Sequence, residues 1–402
     1  MFISPRGVRQ WGYPIMRFLV ALRLAGTAVL AIAGAVPAYG AEPEPAASPV
    51  DLAALATIDG SAALNGNDPG GNLTGIVRLI GDLDLDRLAG WRGASLHAHA
   101  LASFGTRPND RAATMQGVNN IEVAENRAKL FELYAEQQLG QQGSSLRLGF
   151  SDLNSEFYAT DSSALLLAPA FGIGSELSAT GPNGPSLFPS TALTARVHLA
   201  AGGASYVNLA VVNAEAGVLG DRAGIRPLLA KGALLIAEAG IAGERKLALG
   251  GWAYTHRQDD LRDTDAAGDP LRQTAFGVYV LLNQPLTDKL ALFTRAGVSD
   301  GRTTPYKGGW QAGLLWSGPL PARPEGLFSI GVNQAFLSRR HRSNQADAGM
   351  PTGPVETGFE LTYADTVLRG VQIQPDLQWI RKADRVGSHD AVVATLRLSL
   401  SL

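Results

Sequence analysis

Hydrophobic and polar residues alternate along most of this chain. In its last stretch Val392, Ala394, Leu396, Leu398, Leu400 and Leu402 share one face, and Val393, Thr395, Arg397, Ser399 and Ser401 the other. The same division separates Val371, Ile373, Leu377 and Trp379 from Gln372, Gln374, Asp376 and Gln378. It also separates Val355, Thr357, Phe359, Leu361 and Tyr363 from Glu356, Gly358, Glu360 and Thr362. Leu146, Leu148 and Phe150 alternate with Arg147, Gly149 and Ser151, and Leu193, Ala195, Val197 and Leu199 with Thr194, Arg196 and His198. Leu96, Ala98 and Ala100 frame His97 and His99. A period of two is the pattern of a β-strand with one apolar face. Further candidates lie near 75–85, 129–139, 204–213, 232–240, 245–256, 273–283, 289–299, 309–318 and 325–336. The pattern thus predicts about fifteen strands, and because a single-chain membrane barrel normally has an even number, roughly sixteen are expected, with one missed or split.

Short connections at Gly202-Gly203, 241–244 and 284–288 contrast with long polar ones at 106–126, 151–190, 258–272 and 338–353. Short turns at one end and long, extracellular loops at the other are the asymmetry of an outer-membrane barrel. A soluble antiparallel sandwich with one wet face gives the same alternation and stays open as a reading of the pattern alone. No fixed repeat of about 20–50 residues is visible, which argues against a solenoid.

The first forty residues favour the membrane. Arg6, Arg9, Arg17 and Arg23, with no acidic residue among them, precede an apolar run from Leu24 to Val36 and small residues at Ala38, Gly40 and Ala41. This is the form of a secretory signal peptide, read over 1–40. Glu42 to Pro49 is rich in Pro, Ala and Glu and has little to bury, so residues 41–70 are expected to be a flexible leader ahead of a barrel over 71–402. No later window approaches the roughly eighteen consecutive apolar residues of a membrane helix, and a barrel is the other way to satisfy every backbone group in lipid.

Composition narrows the function. Of 402 residues 47 are glycine and none is cysteine, 17% are charged, and the formal charge is −2. Without cysteine there is no disulfide, thiol nucleophile or thiolate-ligated metal. The balanced charge argues against nucleic acid as a partner. Trp91, Trp252, Trp310, Trp316 and Trp379 lie near segment ends, as an interfacial aromatic girdle requires. The six histidines form no His-Glu-x-x-His helix, and neither a Gly-x-Ser-x-Gly elbow nor a phosphate-binding glycine loop occurs, so the chain is read as a non-enzyme. His97 and His99 lie on one strand face, but an i, i+2 pair alone is a weak metal signal; the pair is read as lumen lining, with no metal expected.

Two stretches carry a family resemblance. In 146–196, Asp152, Asn154, Glu156 and Phe157 are followed by Phe171-Gly172-Ile173 and then by Gly181-Pro182-Asn183-Gly184-Pro185-Ser186 with Phe188-Pro189. In 356–397, Gln374-Pro375-Asp376 with Gln378 sits in a strand ahead of His389-Asp390-Ala391. These resemble the OprB-like carbohydrate-selective porin family over roughly residues 70–402. The chain departs from that pattern at Gly90-Trp91-Arg92-Gly93, where the family has a Trp-Gly-Gly element, and at Leu402, where outer-membrane proteins commonly end in an aromatic residue. The resemblance implies a passive diffusion channel for small sugars in a Gram-negative outer membrane, a homotrimer, without a cofactor.

With apolar side chains turned to lipid, the lumen receives His97, His99, Glu132, Glu136, Arg147, Arg196, Arg295, Glu356, Glu360, Gln372, Gln374, Asp376, Gln378 and Arg397. Mixed charges and amides hydrogen-bond hydroxyls without strongly selecting ions. Arg147, Asn154, Glu156, Arg196, Glu136, Arg295, Glu360, Gln374 and Asp376 are the expected pore-lining, substrate-contacting residues. The segment 152–190 carries Leu165-Leu166-Leu167, Phe171 and Phe188, too apolar to hang in water, and is expected to fold inward as a constriction loop marked by Gly181, Asn183, Gly184 and Phe188. A general porin of little sugar preference, and a non-conducting structural or adhesion barrel, are alternatives that conductance separates.

Overall fold

The computed structural model describes residues 48–65, 68–140, 143–218, 220–243, 245–383 and 389–401. The signal peptide expected over 1–40 lies outside the described residues. Strands β1 (Val50–Ala63), β2 (Gly70–Asp84), β3 (Ala94–Gly105), β4 (Ala128–Leu139), β5 (Ser144–Ser151), β6 (Ala192–Ala200), β7 (Ser205–Asn213), β8 (Ala233–Ile241) and β9 (Lys246–Tyr254) follow one another along the chain. After a separate two-stranded ribbon, β10 (Gln258–Thr264) with β11 (Pro270–Gln273), come β12 (Phe276–Thr287), β13 (Leu290–Ser299), β14 (Tyr306–Ser317), β15 (Leu327–Leu337), β16 (Val355–Leu368), β17 (Val371–Arg381) and β18 (Ala391–Ser401). All but the ribbon join in one closed barrel of sixteen strands, each antiparallel to its chain neighbour.

The strand missing from the sequence reading is β1. The expected leader over 41–70 is corrected: Val50–Ala63 is a barrel strand, in register with β2 and with β18. Its inward face is Thr57, Asp59, Ser61 and Ala63, while its outer positions include Ala54, Ala56 and Gly60. Alanine and glycine on the lipid side give little hydrophobic contrast, so the period of two is muted there. The barrel therefore begins at Val50.

Outward and inward sets fall as the alternation assigns them. Leu148, Leu249, Val278, Ile330, Phe359 and Leu377 stand on the outer surface, Leu249 with 65% of its area exposed. In lipid that face is at no disadvantage, since hydrocarbon solvates it. Arg196, Arg295, Glu356, Glu360, Gln378 and Arg397 point inward and are buried. The long connections cluster at one end, where the ribbon meets the helix Arg339–Asp347 through Arg340 to Asp260 at 2.7 Å and Arg262 to Asp347 at 2.7 Å. At the other end connections are tight; at Gly202-Gly203 both residues have positive φ (88° and 58°), which only glycine adopts freely.

An ion pair spans the seam. Asp59 on β1 lies directly opposite Arg397 on β18, accepts from its Nε at 2.8 Å and Nη2 at 2.7 Å, and accepts from Asn119 Nδ2 at 2.7 Å, with none of its surface exposed. Removing one partner of a buried pair strands the other charge, at about 3–5 kcal/mol. Asp59→Ala is accordingly expected to lower the temperature at which the folded band of heat-modifiable electrophoresis disappears, whereas Asp51→Ala, at an exposed position of the same strand, leaves it in place.

Candidate functional site: the in-folded loops and the β3–β6 wall

The segment between β5 and β6 runs across the barrel interior. Its Leu153, Phe157, Tyr158, Ile173 and Leu177 pack against the inward Leu234, Ile236, Trp252, Tyr254, Tyr279 and Leu281 of β8, β9 and β12, forming a hydrophobic core inside the barrel. Polar struts from distant strands hold its backbone. Arg295 on β13 donates to the carbonyls of Tyr158 at 2.8 Å, Gly172 at 2.7 Å and Ala170 at 3.1 Å. Glu360 on β16 accepts from the amides of Leu167 and Ala168, Gln374 on β17 donates to Leu165 O at 2.7 Å, and Glu238 on β8 accepts from Tyr158 N at 2.9 Å. Each satisfies backbone groups that an irregular buried segment would otherwise leave unpaired.

This corrects part of the expected pore lining. Arg295, Glu360 and Gln374 are inward, as the alternation requires, but they lie beneath the loop, at 1%, 2% and 4% exposed, and act as its anchors. Asp376 is buried beside them, hydrogen-bonded through Gln378 Nε2 at 3.0 Å. All four are buried.

A second inward loop, 106–127, was not foreseen. Glu356 on β16 accepts from Met115 N at 2.9 Å and Gln116 N at 2.9 Å, Gln378 donates to Val118 O at 2.8 Å, and Arg397 donates to Asn120 Oδ1 at 2.8 Å. Gln116 Nε2 donates to Asn333 on β15 at 2.9 Å.

Four of the other expected residues come together on the opposite wall. Register places Glu136 on β4 across from Arg147 on β5, and Arg147 across from Arg196 on β6. Two arginines facing each other repel. Glu136 bridges them, at 2.8 Å from Arg147 Nη2 and 3.1 Å from Arg196 Nη2, and Glu156 enters from the loop, 2.6 Å from Arg196 Nε and 3.4 Å from Arg147 Nη2. Arg196 is fully enclosed, while the side chains of Arg147, Glu136 and Glu156 keep 12%, 16% and 21% of their surface open. Tyr134 lies under the Arg147 guanidinium at 4.0 Å.

Two cavities meet at the long-loop end. The outer, about 470 Å³, is lined by 122–125, 127, 178, 183–185, 187–190, 218 and 220–222; the inner, about 270 Å³, by Gln116, Asn119, Asn120, Asp152, Asn154 and Phe171 among others. Glu122, Ser178, Leu187 and Phe188 line both and so form the neck between them. Of the residues expected at the constriction and pore lining, Phe188 lines both cavities and Asn154 the inner one. Asn183 and Gly184 line the outer cavity only, and Gly181 (φ 77°) sits against the Tyr254 hydroxyl, where a Cβ would collide. Glu122 and Ser178 were missed: neither stands in a motif, and folding alone brings them to Phe188. Burial raises the proton affinity of Glu122 at the neck and pushes the Asp152 carboxyl, in the inner cavity, up to about 7.

A closed, lipid-facing antiparallel barrel narrowed by in-folded loops is a porin of the outer-membrane type. Residues 77–402 match the profile of the carbohydrate-selective porin, OprB family, and the chain belongs to that family. Porin B of Pseudomonas aeruginosa is 27% identical over 180 residues, 37% of this chain and 39% of that protein, so the aligned part is well under half of either. OprB of Pseudomonas putida, in its high-pH structure, superposes with a TM-score of 0.78 at 21% identity, covering 88% of this chain and 94% of that one. The outer membrane channel DcaP of Acinetobacter baumannii gives a TM-score of 0.56 at 11% identity over 88% of this chain and 97% of that one. These structures share the fold.

Proposed function

We propose that the chain is a passive channel for small carbohydrates across a Gram-negative outer membrane, reached through the signal peptide read over 1–40. Family membership supports the solute class. What supports it at these residues is a pair of adjoining cavities that share Phe188 and Glu122, the amides of Gln116, Asn119, Asn120 and Asn154 lining the inner one, and the partly exposed Arg147, Glu136 and Glu156 on the β4–β5 wall. Amides and paired charges exchange hydrogen bonds with sugar hydroxyls for those with water, and their balanced sign gives ions little preference. Solute moves down its gradient, so neither cofactor nor catalytic group is required. The homotrimer implied by the family resemblance belongs to the same proposal.

Reconstituted in a planar bilayer, the protein is expected to give unitary current steps that glucose and short glucose oligomers reduce in a saturable way. Steps without sugar block would replace this reading by a general porin. A silent bilayer would replace it by a structural barrel.

A further inference from the structure

Below the neck, in the half of the lumen nearer the tight turns, β2, β3 and β4 bring three groups together. His97 and His99 face the lumen from β3, and Glu132 from β4 lies opposite His99. Pairing slips by one residue between His99 and Ala100, so that Phe131 is the extra residue of a bulge immediately before Glu132. Bulges of this kind re-aim a neighbouring side chain. Glu132 Oε1 is held by the amide of Asp152 at 3.0 Å. Its Oε2 lies 3.2 Å from His99 Nδ1 and 3.7 Å from His97 Nε2, and the three candidate ligand atoms all fall within 4.8 Å of one another. A tetrahedral zinc ion with bonds of about 2.0–2.1 Å separates its ligand atoms by about 3.4 Å, between the two contacts seen here.

The hydrogen bonds around the group favour a ligand over a packing role. Asp82 Oδ1 lies 2.7 Å from His97 Nδ1, a contact that holds the ring with its Nε2 turned toward Glu132. Two imidazole nitrogens and a carboxylate converging within 4.8 Å of one another can share a metal cation in place of a proton. This carboxylate–histidine arrangement is the one that orients imidazoles toward zinc. His99 is only 8% exposed and turns its Nδ1, not its Nε2, toward Glu132, so the nitrogen that would ligate is the one already aimed into the cluster. Asp82, more than half exposed, leaves the cluster open to the lumen. We propose that His97, His99 and Glu132 bind a divalent transition-metal cation, zinc foremost, with Asp82 as a positioning residue and water completing the coordination. The bound ion would add positive charge beside the Tyr134 ring that stacks on His97 at 4.7 Å, on the wall that carries Arg147.

The test uses the full-length mature protein in detergent, stripped by chelator and titrated with Zn²⁺ against a competing chromophoric chelator. One zinc per chain is expected. His99→Ala and Glu132→Gln should each weaken it more than tenfold, and Asp82→Asn by about 10–100-fold. His341→Ala, outside the barrel wall, should change nothing. No zinc bound, or an affinity indifferent to His99→Ala and Glu132→Gln, overturns the proposal. Should a variant fail the heat-modifiable mobility check, zinc-edge X-ray absorption on the unmutated protein decides: two imidazole nitrogens and a carboxylate support the site, and an all-oxygen shell overturns it. Neither readout requires conductance, so this proposal and the channel reading fail separately.

Discussion

Arg295→Ala is expected to raise single-channel conductance several-fold and to weaken sugar block in parallel. Its guanidinium holds three carbonyls of the in-folded loop at once, Tyr158, Ala170 and Gly172, while Gln311 fixes its Nε at 3.0 Å. Removing it orphans three buried acceptors, each worth about 1–3 kcal/mol, together enough to shift the loop from its seated position. Arg295→Lys, a point donor in place of a planar fork, should fall between. The measurement is the distribution of unitary currents beside the sugar concentration for half block. Folded protein with unchanged currents and unchanged block would mean that the apolar face against β8, β9 and β12 holds the loop without help.

Arg147→Ala is expected to raise the sugar concentration for half block by about tenfold to a hundredfold, the equivalent of about 1.5–3 kcal/mol for a charged hydrogen bond. Conductance should change little and cation preference should rise, because Glu136 and Glu156 lose the partner that faces the lumen. Arg196→Ala makes the contrast. Arg196 is enclosed between the same two glutamates, so its loss should appear as a poorer yield of folded barrel rather than as a clean change in block. Reversal potentials in a salt gradient, with sugar titration, separate the two. Equal sugar affinity in wild type and Arg147→Ala would remove the β4–β5 wall from the permeation path.

Inside and outside were legible wherever leucine or valine alternated with arginine, glutamine or glutamate, as in β16 to β18, and illegible in β1, where alanine lies on both faces and Leu55 shares the inward parity with Thr57 and Asp59. Glu136, Arg147 and Arg196 on marked strands and Glu156 in a loop motif were each legible as lumen residues, but that they form one cluster follows only from the register of β4 to β6 and the in-folding of the loop. Arg295, Glu360 and Gln374 were assigned the right face but the wrong neighbour. Strand periodicity tells which way a side chain leaves the sheet; what fills the space in front of it is decided by a segment more than a hundred residues away in sequence. Loop 106–127 gave no such warning, since its buried Val118 and Ile121 stand singly among polar residues and its other anchors are side chains of β16 to β18 that only the fold brings to it.

The seam has a consequence for how the molecule comes into being. Asp59 and Arg397 are 338 positions apart, and the contacts that seat the loops join residues 193 positions apart (Leu167 with Glu360) and 241 apart (Met115 with Glu356). Closure, and the last anchors of both loops, therefore wait for the final strands, the slowest kind of contact for a chain to find. The early strands alone hold neither a wall nor a gate. A chain stopped before β16 would yield no narrower or leakier channel but an open sheet with bare edges, so the sieve and the cylinder around it arrive in a single late event.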